Sequence, residues 1–149
     1  MSFSAKVKGE ICRYTDISKE EALAELSAIM KGSGTIGFSG KGLSFRITTE
    51  NPASARHIFT LLKEHFDIHS KLMVKKSNSL KKNNIYMVLI EEDMGVRDLL
   101  QETGIFKEID GVLTIDYKID PEMVKTEEYK KAYIRGAFIG GGSVTNPEK

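Results

Sequence analysis

The residues best suited to chemistry in this 149-residue chain are its lysines. Between Ile68 and Ile90 stand Lys71, Lys75, Lys76, Lys81 and Lys82 with no acid among them, whereas Glu91 to Asp110 holds seven acids against Arg97 and Lys107. The formal net charge is only +1, so the sorting matters more than the sum: it can put a basic face on a nearly neutral molecule. With Arg46, Ser44 and Thr48 on the same sheet face, these lysines could track phosphates, and each counterion released would steepen the salt dependence of binding. A two-stranded ribbon also fits a DNA major groove. The same lysines would equally keep an exposed hairpin edge soluble and unpaired, and the residues alone leave both readings open.

Other candidate chemistries fail on context. Gly32-Ser-Gly34-Thr-Ile-Gly37 matches a dinucleotide fingerprint in letters, but it follows a helical pattern and opens a strand, the reverse of what that fingerprint requires. Gly40-Lys41 is followed by Gly42 and lacks the upstream glycine of a phosphate loop. His65 and His69 are spaced to clip a metal, yet no third ligand or intervening acid accompanies them, and a solvated helix end is the simpler reading. Gly140-Gly-Gly142 could cradle a phosphate or permit close helix packing and a sharp turn. No Ser/His/Asp or Cys/His constellation stands out, so no nucleophilic catalysis is indicated. Cys12, the single cysteine, reads as a reduced, partly buried thiol, consistent with a cytoplasmic protein. No secretory h-region follows Met1, and no apolar run approaches the roughly 18 residues of a membrane span.

The elements that must hold these groups follow from periodicity. Phe3, Val7 and Ile11 predict a short amphipathic helix over Phe3 to Tyr14. Ser18 with Glu21 predicts a capping box opening a second helix, whose apolar face is Leu23, Leu26, Ile29 and Met30. Ala22, Ala24, Ser27 and Ala28 keep the remainder small, and Gly32-Ser-Gly34 ends it. Residues 35–39 and 43–48 alternate as a hairpin joined through Gly40-Lys41-Gly42, with Ile36, Phe38, Leu43, Phe45 and Ile47 to one side. Thr35, Ser39, Ser44, Arg46 and Thr48 point to the other side, as for a sheet with one face on a core and one in water. Asn51-Pro52 starts a helix carrying Ala55, Ile58, Phe59, Leu62 and Phe66. Residues 70–76 and 84–91 form a second hairpin with a lysine-rich tip at Ser77 to Asn83. Val96, Leu99 and Leu100 mark another helix, closed by Gly104. Val112 to Ile115 suits a short strand, Asp120-Pro121 a helical turn, and a last helix starts near Thr126. The order predicts an α+β domain.

Two segments repeat. Leu26-Ser-Ala-Ile-Met-Lys-Gly-Ser-Gly-Thr-Ile36 and Ile134-Arg-Gly-Ala-Phe-Ile-Gly-Gly-Gly-Ser-Val144 each carry a helix rich in small residues that ends on glycine. Such spacing suits a pseudo-two-fold duplication rather than a solenoid. Both segments resemble the LAGLIDADG motif of homing endonucleases, and the element order after the first copy is similar to one half of that fold. The resemblance implies two motif helices packed almost backbone to backbone, through Ser27, Ala28, Gly32, Gly136, Ala137 and Gly140, beneath an antiparallel sheet saddle. In the cutting family an acid at the end of each motif helix binds a divalent metal, and the pair builds a phosphodiesterase site. Here those positions are Ser33 and Gly141, and the earlier acid of the motif is replaced by Lys31 and Ile139. Neither a hydroxymethyl group nor a hydrogen supplies the charged oxygen that magnesium wants, so neither a metal nor any other cofactor is expected, and no enzyme.

A duplicated LAGLIDADG scaffold without its acids resembles the WhiA family of bacterial regulators. The opening Ser2-Phe3-Ser4, the Lys81-Lys-Asn-Asn84 stretch and Ala132-Tyr-Ile-Arg-Gly-Ala-Phe138 leading to Gly141-Gly-Ser-Val144 carry that likeness, which covers nearly all of residues 1–149. It implies a cytoplasmic, nucleoid-associated protein acting on transcription in cell division, chromosome segregation and sporulation. It also tips the lysines toward double-stranded promoter DNA, with Arg46, Lys71, Lys75, Lys76, Lys81 and Lys82 as the expected contacts. The family continues with further strands and a helix-turn-helix, so this chain is expected to be its first half plus the second motif helix. An interaction scaffold that self-associates or holds a protein partner is the alternative, and an active endonuclease the more remote one.

Overall fold

The computed structural model describes residues 17–76 and 84–141. The helix expected over Phe3 to Tyr14, the tip lysines Lys81 and Lys82, and the end of the second motif beyond residue 141 lie outside them. The described residues form helix α1 (Lys19–Ser33), hairpin β1 (Gly34–Ser39) and β2 (Gly42–Thr49), helix α2 (Pro52–Phe66) and hairpin β3 (Lys71–Lys76) and β4 (Asn84–Glu91). Helix α3 (Val96–Glu102), hairpin β5 (Phe106–Ile109) and β6 (Val112–Ile115) and helix α4 (Glu127–Gly140) follow. One-turn 3₁₀ helices precede α3 and α4, at Glu92–Met94 and Pro121–Val124.

Local chemistry sets the helix starts. The Ser18 hydroxyl accepts from the Glu21 amide at 3.1 Å while the Glu21 carboxylate accepts in return from the Ser18 amide and hydroxyl, satisfying donors that a helix N-terminus leaves open. Asn51 accepts from the amides of Ala53 and Ser54 ahead of α2, and Pro52 takes the first helical position, where no amide is needed. Thr126 caps α4 through the Tyr129 amide. The β5–β6 turn places Asp110 at φ 52 and Gly111 at φ 79, the paired left-handed conformations of a tight hairpin whose twist matches its strands.

Strands β1 to β4 form one antiparallel sheet in the order β1-β2-β4-β3, and β5 and β6 form a separate two-stranded sheet. Register puts Leu43, Phe45, Ile47, Val88 and Ile90 on one face, and all five are buried against Leu26, Ile29 and Met30 of α1, Ile58 and Leu62 of α2 and Leu99 and Leu100 of α3. Each such side chain removed from water contributes about 1.5–3 kcal/mol.

Two expectations change here. Phe38 shares that face by pairing with Leu43, yet it is 78% exposed: β1 runs past the helices, and nothing among the described residues covers its end. Helix α1 is not amphipathic. Ala22 and every residue from Ala24 to Met30 are buried, because the sheet takes one side of the helix and α4 takes another, and a helix covered on several sides is buried all round. Leu23, expected on the core stripe, is half-buried and packs instead with Ala24, Met123, Ala132 and Tyr133 in a satellite cluster.

Candidate nucleic-acid interface

Helices α1 and α4 cross where glycine permits it. A Cβ on Gly136 would lie 2.0 Å from the Glu25 carbonyl oxygen and 3.0 Å from the Ala28 methyl, and one on Gly140 would lie 2.8 Å from the Ile29 Cα. A Cβ on Gly32 would meet the Gly140 carbonyl carbon at 3.1 Å. Residues 25, 28, 29 and 32 of α1 therefore face 136 and 140 of α4, the three- and four-residue steps that line up on one side of a helix. Two expected members fall off that line. Ser27 is buried, but its hydroxyl turns to donate to the Thr103 carbonyl at 3.0 Å, behind α3, and Ala137 is exposed. Each sits roughly 100° of helical rotation from its neighbours on the contact stripe.

The crossing also holds a charge network that the sequence reading missed. Glu25 is 1% exposed at the middle of α1. One of its oxygens accepts from the Arg135 Nε of α4 at 2.9 Å and the other from His57 Nε2 of α2, so a single carboxylate ties three helices. Its signal was legible in retrospect: one acid among Ala22 to Met30 needs buried partners, because an unpaired buried charge is prohibitive.

At the far end of the crossing the two helix termini meet. A Cβ on Gly141 would stand 3.5 Å from the Gly32 carbonyl oxygen, and the Ser33 hydroxyl donates back to the Ile29 carbonyl of its own helix at 3.2 Å. No carboxylate is carried at either position, and among the described residues no group of three or more His, Cys, Asp or Glu could hold a metal ion. His69 lies instead 3.6 Å from Asp67 at the end of α2. Beside the junction, the Lys31 ammonium donates to the Lys118 carbonyl at 2.8 Å and lies over the Tyr133 ring. Partial burial holds it below the ordinary lysine range, helped by repulsion from Lys107 and opposed by Asp116 and Asp120.

The sheet face turned from the core is the second candidate. Register aligns Thr35, Arg46, Leu89 and Lys71 in one row across all four strands. Thr48, Met87 and Met73 form the next row, and Lys75 stands opposite Ile85 beyond them. Arg46, Lys71 and Lys75 are thus brought together on the open face, and each is exposed. Lys76 is exposed too but does not join them: it pairs with Asn84 and shares the face of Val88 and Ile90, since neighbouring strand residues point to opposite sides. Lys71 is engaged already, 2.6 Å from Glu91. That hydrogen bond raises the Lys71 pKa and lowers the Glu91 pKa from their ordinary values. The centre of this face is apolar, with Ile85, Met87 and Leu89 half-buried and Met73 exposed. The uninterrupted run Ile85 to Ile90 was the clue, because a strand with one wet face normally alternates.

Comparison with known proteins agrees with this geometry. Residues 19–106 match the WhiA N-terminal LAGLIDADG-like domain, and residues 130–149 match the WhiA LAGLIDADG-like domain. The chain is 76% identical over 149 residues to a protein of Clostridium beijerinckii and 73% identical to one of Clostridium perfringens strain 13, both named "Probable cell division protein WhiA". Each match takes in 100% of this chain and 47% of the relative, so the chain spans about half the length of those proteins. The crystal structure of a WhiA N-terminal LAGLIDADG domain superposes with a TM-score of 0.68 at 22% identity, over 99% of this chain and 62% of that one. A full-length WhiA from Thermatoga maritima gives 0.61 at 20% identity, over 99% of this chain and 42% of that one. Glycines at a helix crossing, a four-stranded sheet over it and these matches lead to one conclusion: the chain belongs to the WhiA family, with a LAGLIDADG-like α+β fold.

Proposed function

We propose that this domain binds double-stranded DNA without cutting it, through the open face of its four-stranded sheet, as part of a WhiA-type transcription regulator. Its setting is then the cytoplasm, at the nucleoid, in cell division, chromosome segregation and sporulation. The observation that carries the reading is that Arg46, Lys71 and Lys75 share one open face whose strands hold a single acid among the described residues, Glu91. The absence of cutting rests on Ser33 and Gly141, which supply no charged oxygen where the motif helices end. No described helix is long and apolar enough to cross a membrane.

The test is a gel-shift titration of the 149-residue chain on duplex DNA at several salt concentrations. Affinity is expected to fall steeply with salt, and Arg46→Ala with Lys75→Ala should flatten the slope by about two, roughly 0.9 for each phosphate no longer neutralised. Lys76→Ala, on the opposite face, should leave the slope alone. Salt-independent binding would reject the reading, and plasmid cleavage in magnesium would reject its non-catalytic part.

A second reading, an interaction scaffold, is favoured by a different observation. The β5–β6 hairpin and the segment after it expose Ile109, Val112, Leu113, Ile115, Tyr117 and Ile119, each between 46% and 60%. Register puts Ile109 and Val112 on one face of the hairpin and Leu113 and Ile115 on the other, so apolar surface is presented on both, and exposed apolar surface of that kind marks association sites in soluble proteins.

A further inference from the structure

We infer that the open sheet face reads thymine methyl groups in a DNA major groove; this deepens, and rests on, the DNA-binding reading above. Strand β4 sends Val88 and Ile90 into the core, while Ile85, Met87 and Leu89, which alternate with them, line the opposite face together with the terminal Glu91. Met73 of β3 pairs with Met87 and is 41% exposed. Ile85, Met87 and Leu89 are half-buried and not in the core, although an open sheet face in water is ordinarily polar.

What flanks the strip identifies its occupant. Leu89 lies between Arg46 on β2 and Lys71 on β3 in one row, and Ile85 stands opposite Lys75. The cations sit on the two strands either side of β4, two interstrand spacings apart or about 9.5 Å. That is of the order of the roughly 12 Å width of a major groove. A ribbon seated there would set cations toward the phosphates on both walls and its central strand toward the base edges. Thymine is the base that shows a methyl group on that edge, and apolar side chains are what recognise it. Thr48 extends the same face with an exposed hydroxyl able to meet either kind of base pair, whereas the Ser44 hydroxyl donates to the Gly37 carbonyl. Glu91, the acid on this face, is neutralised by Lys71, so it does not repel the backbone.

The experiment uses the 149-residue chain and fluorescence anisotropy on duplexes that differ only in methyl groups. Replacing thymine by deoxyuridine removes each methyl and keeps base pairing; replacing cytosine by 5-methylcytosine adds one at the same groove position. Each methyl touched by the strip should change affinity about fourfold, so the deoxyuridine duplex should bind roughly fourfold to tenfold more weakly, and the methylcytosine duplex more tightly than its parent. Met73→Ser, on an exposed strand where folding is not at stake, and the double variant Met87→Ser/Leu89→Ser should shrink the thymine-to-uracil ratio and leave the salt slope intact. Equal affinity for the thymine and uracil duplexes, with salt dependence retained, would overturn the methyl reading and leave DNA binding standing. No salt-dependent binding to either duplex would remove both.

Discussion

Gly136 leaves no room for any side chain where α1 and α4 cross, because the carbonyl oxygen that a Cβ would strike belongs to a buried helix backbone. Gly136→Ala should therefore destabilise the fold by roughly 3 kcal/mol, the upper range for overpacking, read as a lowered urea midpoint. Ala137→Val, one residue along on the exposed side of α4, should change stability by less than about 0.5 kcal/mol. Both positions look alike in the repeated motif; the direction each faces separates them. Glu25 gives a second residue-scale expectation. Glu25→Leu leaves the Arg135 guanidinium and the His57 ring without the carboxylate between them, at a cost of about 3–5 kcal/mol. Replacing all three, Glu25→Leu, His57→Leu and Arg135→Met, should recover much of the loss, since well-packed apolar groups can substitute for a buried ion network. Chemical denaturation of the parent, single and triple variants decides it; a triple variant no better than the single would show that the network is more than self-compensating charge.

Strands β3 and β4 act as a unit whose charge is partly switched off. Lys71 is bound to Glu91 diagonally across the hairpin, so Arg46 and Lys75 carry the remaining positive charge among the described residues of the face that we assign to DNA. Glu91→Gln keeps the shape and releases Lys71. Salt titration of DNA binding should then show tighter affinity and a slope steeper by about 0.9; an unchanged slope would mean that Lys71 does not reach a phosphate. The ion pair itself adds little stability because both partners meet solvent. What it adds is present above the ordinary glutamate pKa and is lost as pH falls through the lowered Glu91 value. The alternation of β2 was legible in residues 43–48, because one of its faces is polar throughout. That of β4 was not, because apolar residues on both faces look the same in sequence as a strand buried on both sides.

Across the whole molecule the described residues bury one core beneath the sheet and leave a second, smaller sheet bare. If the scaffold reading holds, the exposed residues of the β5–β6 hairpin drive association. Val112→Lys with Leu113→Lys should then lower the weight-average mass measured by sedimentation at high protein concentration, without altering the urea midpoint. A monomer in both proteins would end that reading and leave the sheet face untouched. By itself the sequence determined the helix caps, the α+β class, the four strands of the main sheet and the missing acids at Ser33 and Gly141, because each of these depends on a few neighbouring residues and on their chemistry; strand β5 at Phe106–Ile109, which makes a hairpin of Val112–Ile115, was not legible in it. Only the tertiary structure decided that Ser27 and Ala137 leave the helix crossing, that Lys76 faces away from Arg46, and that Glu25 joins three helices. Those outcomes depend on rotation about a helix axis, strand register and the meeting of residues far apart in the chain, and none of these is carried by local residue type.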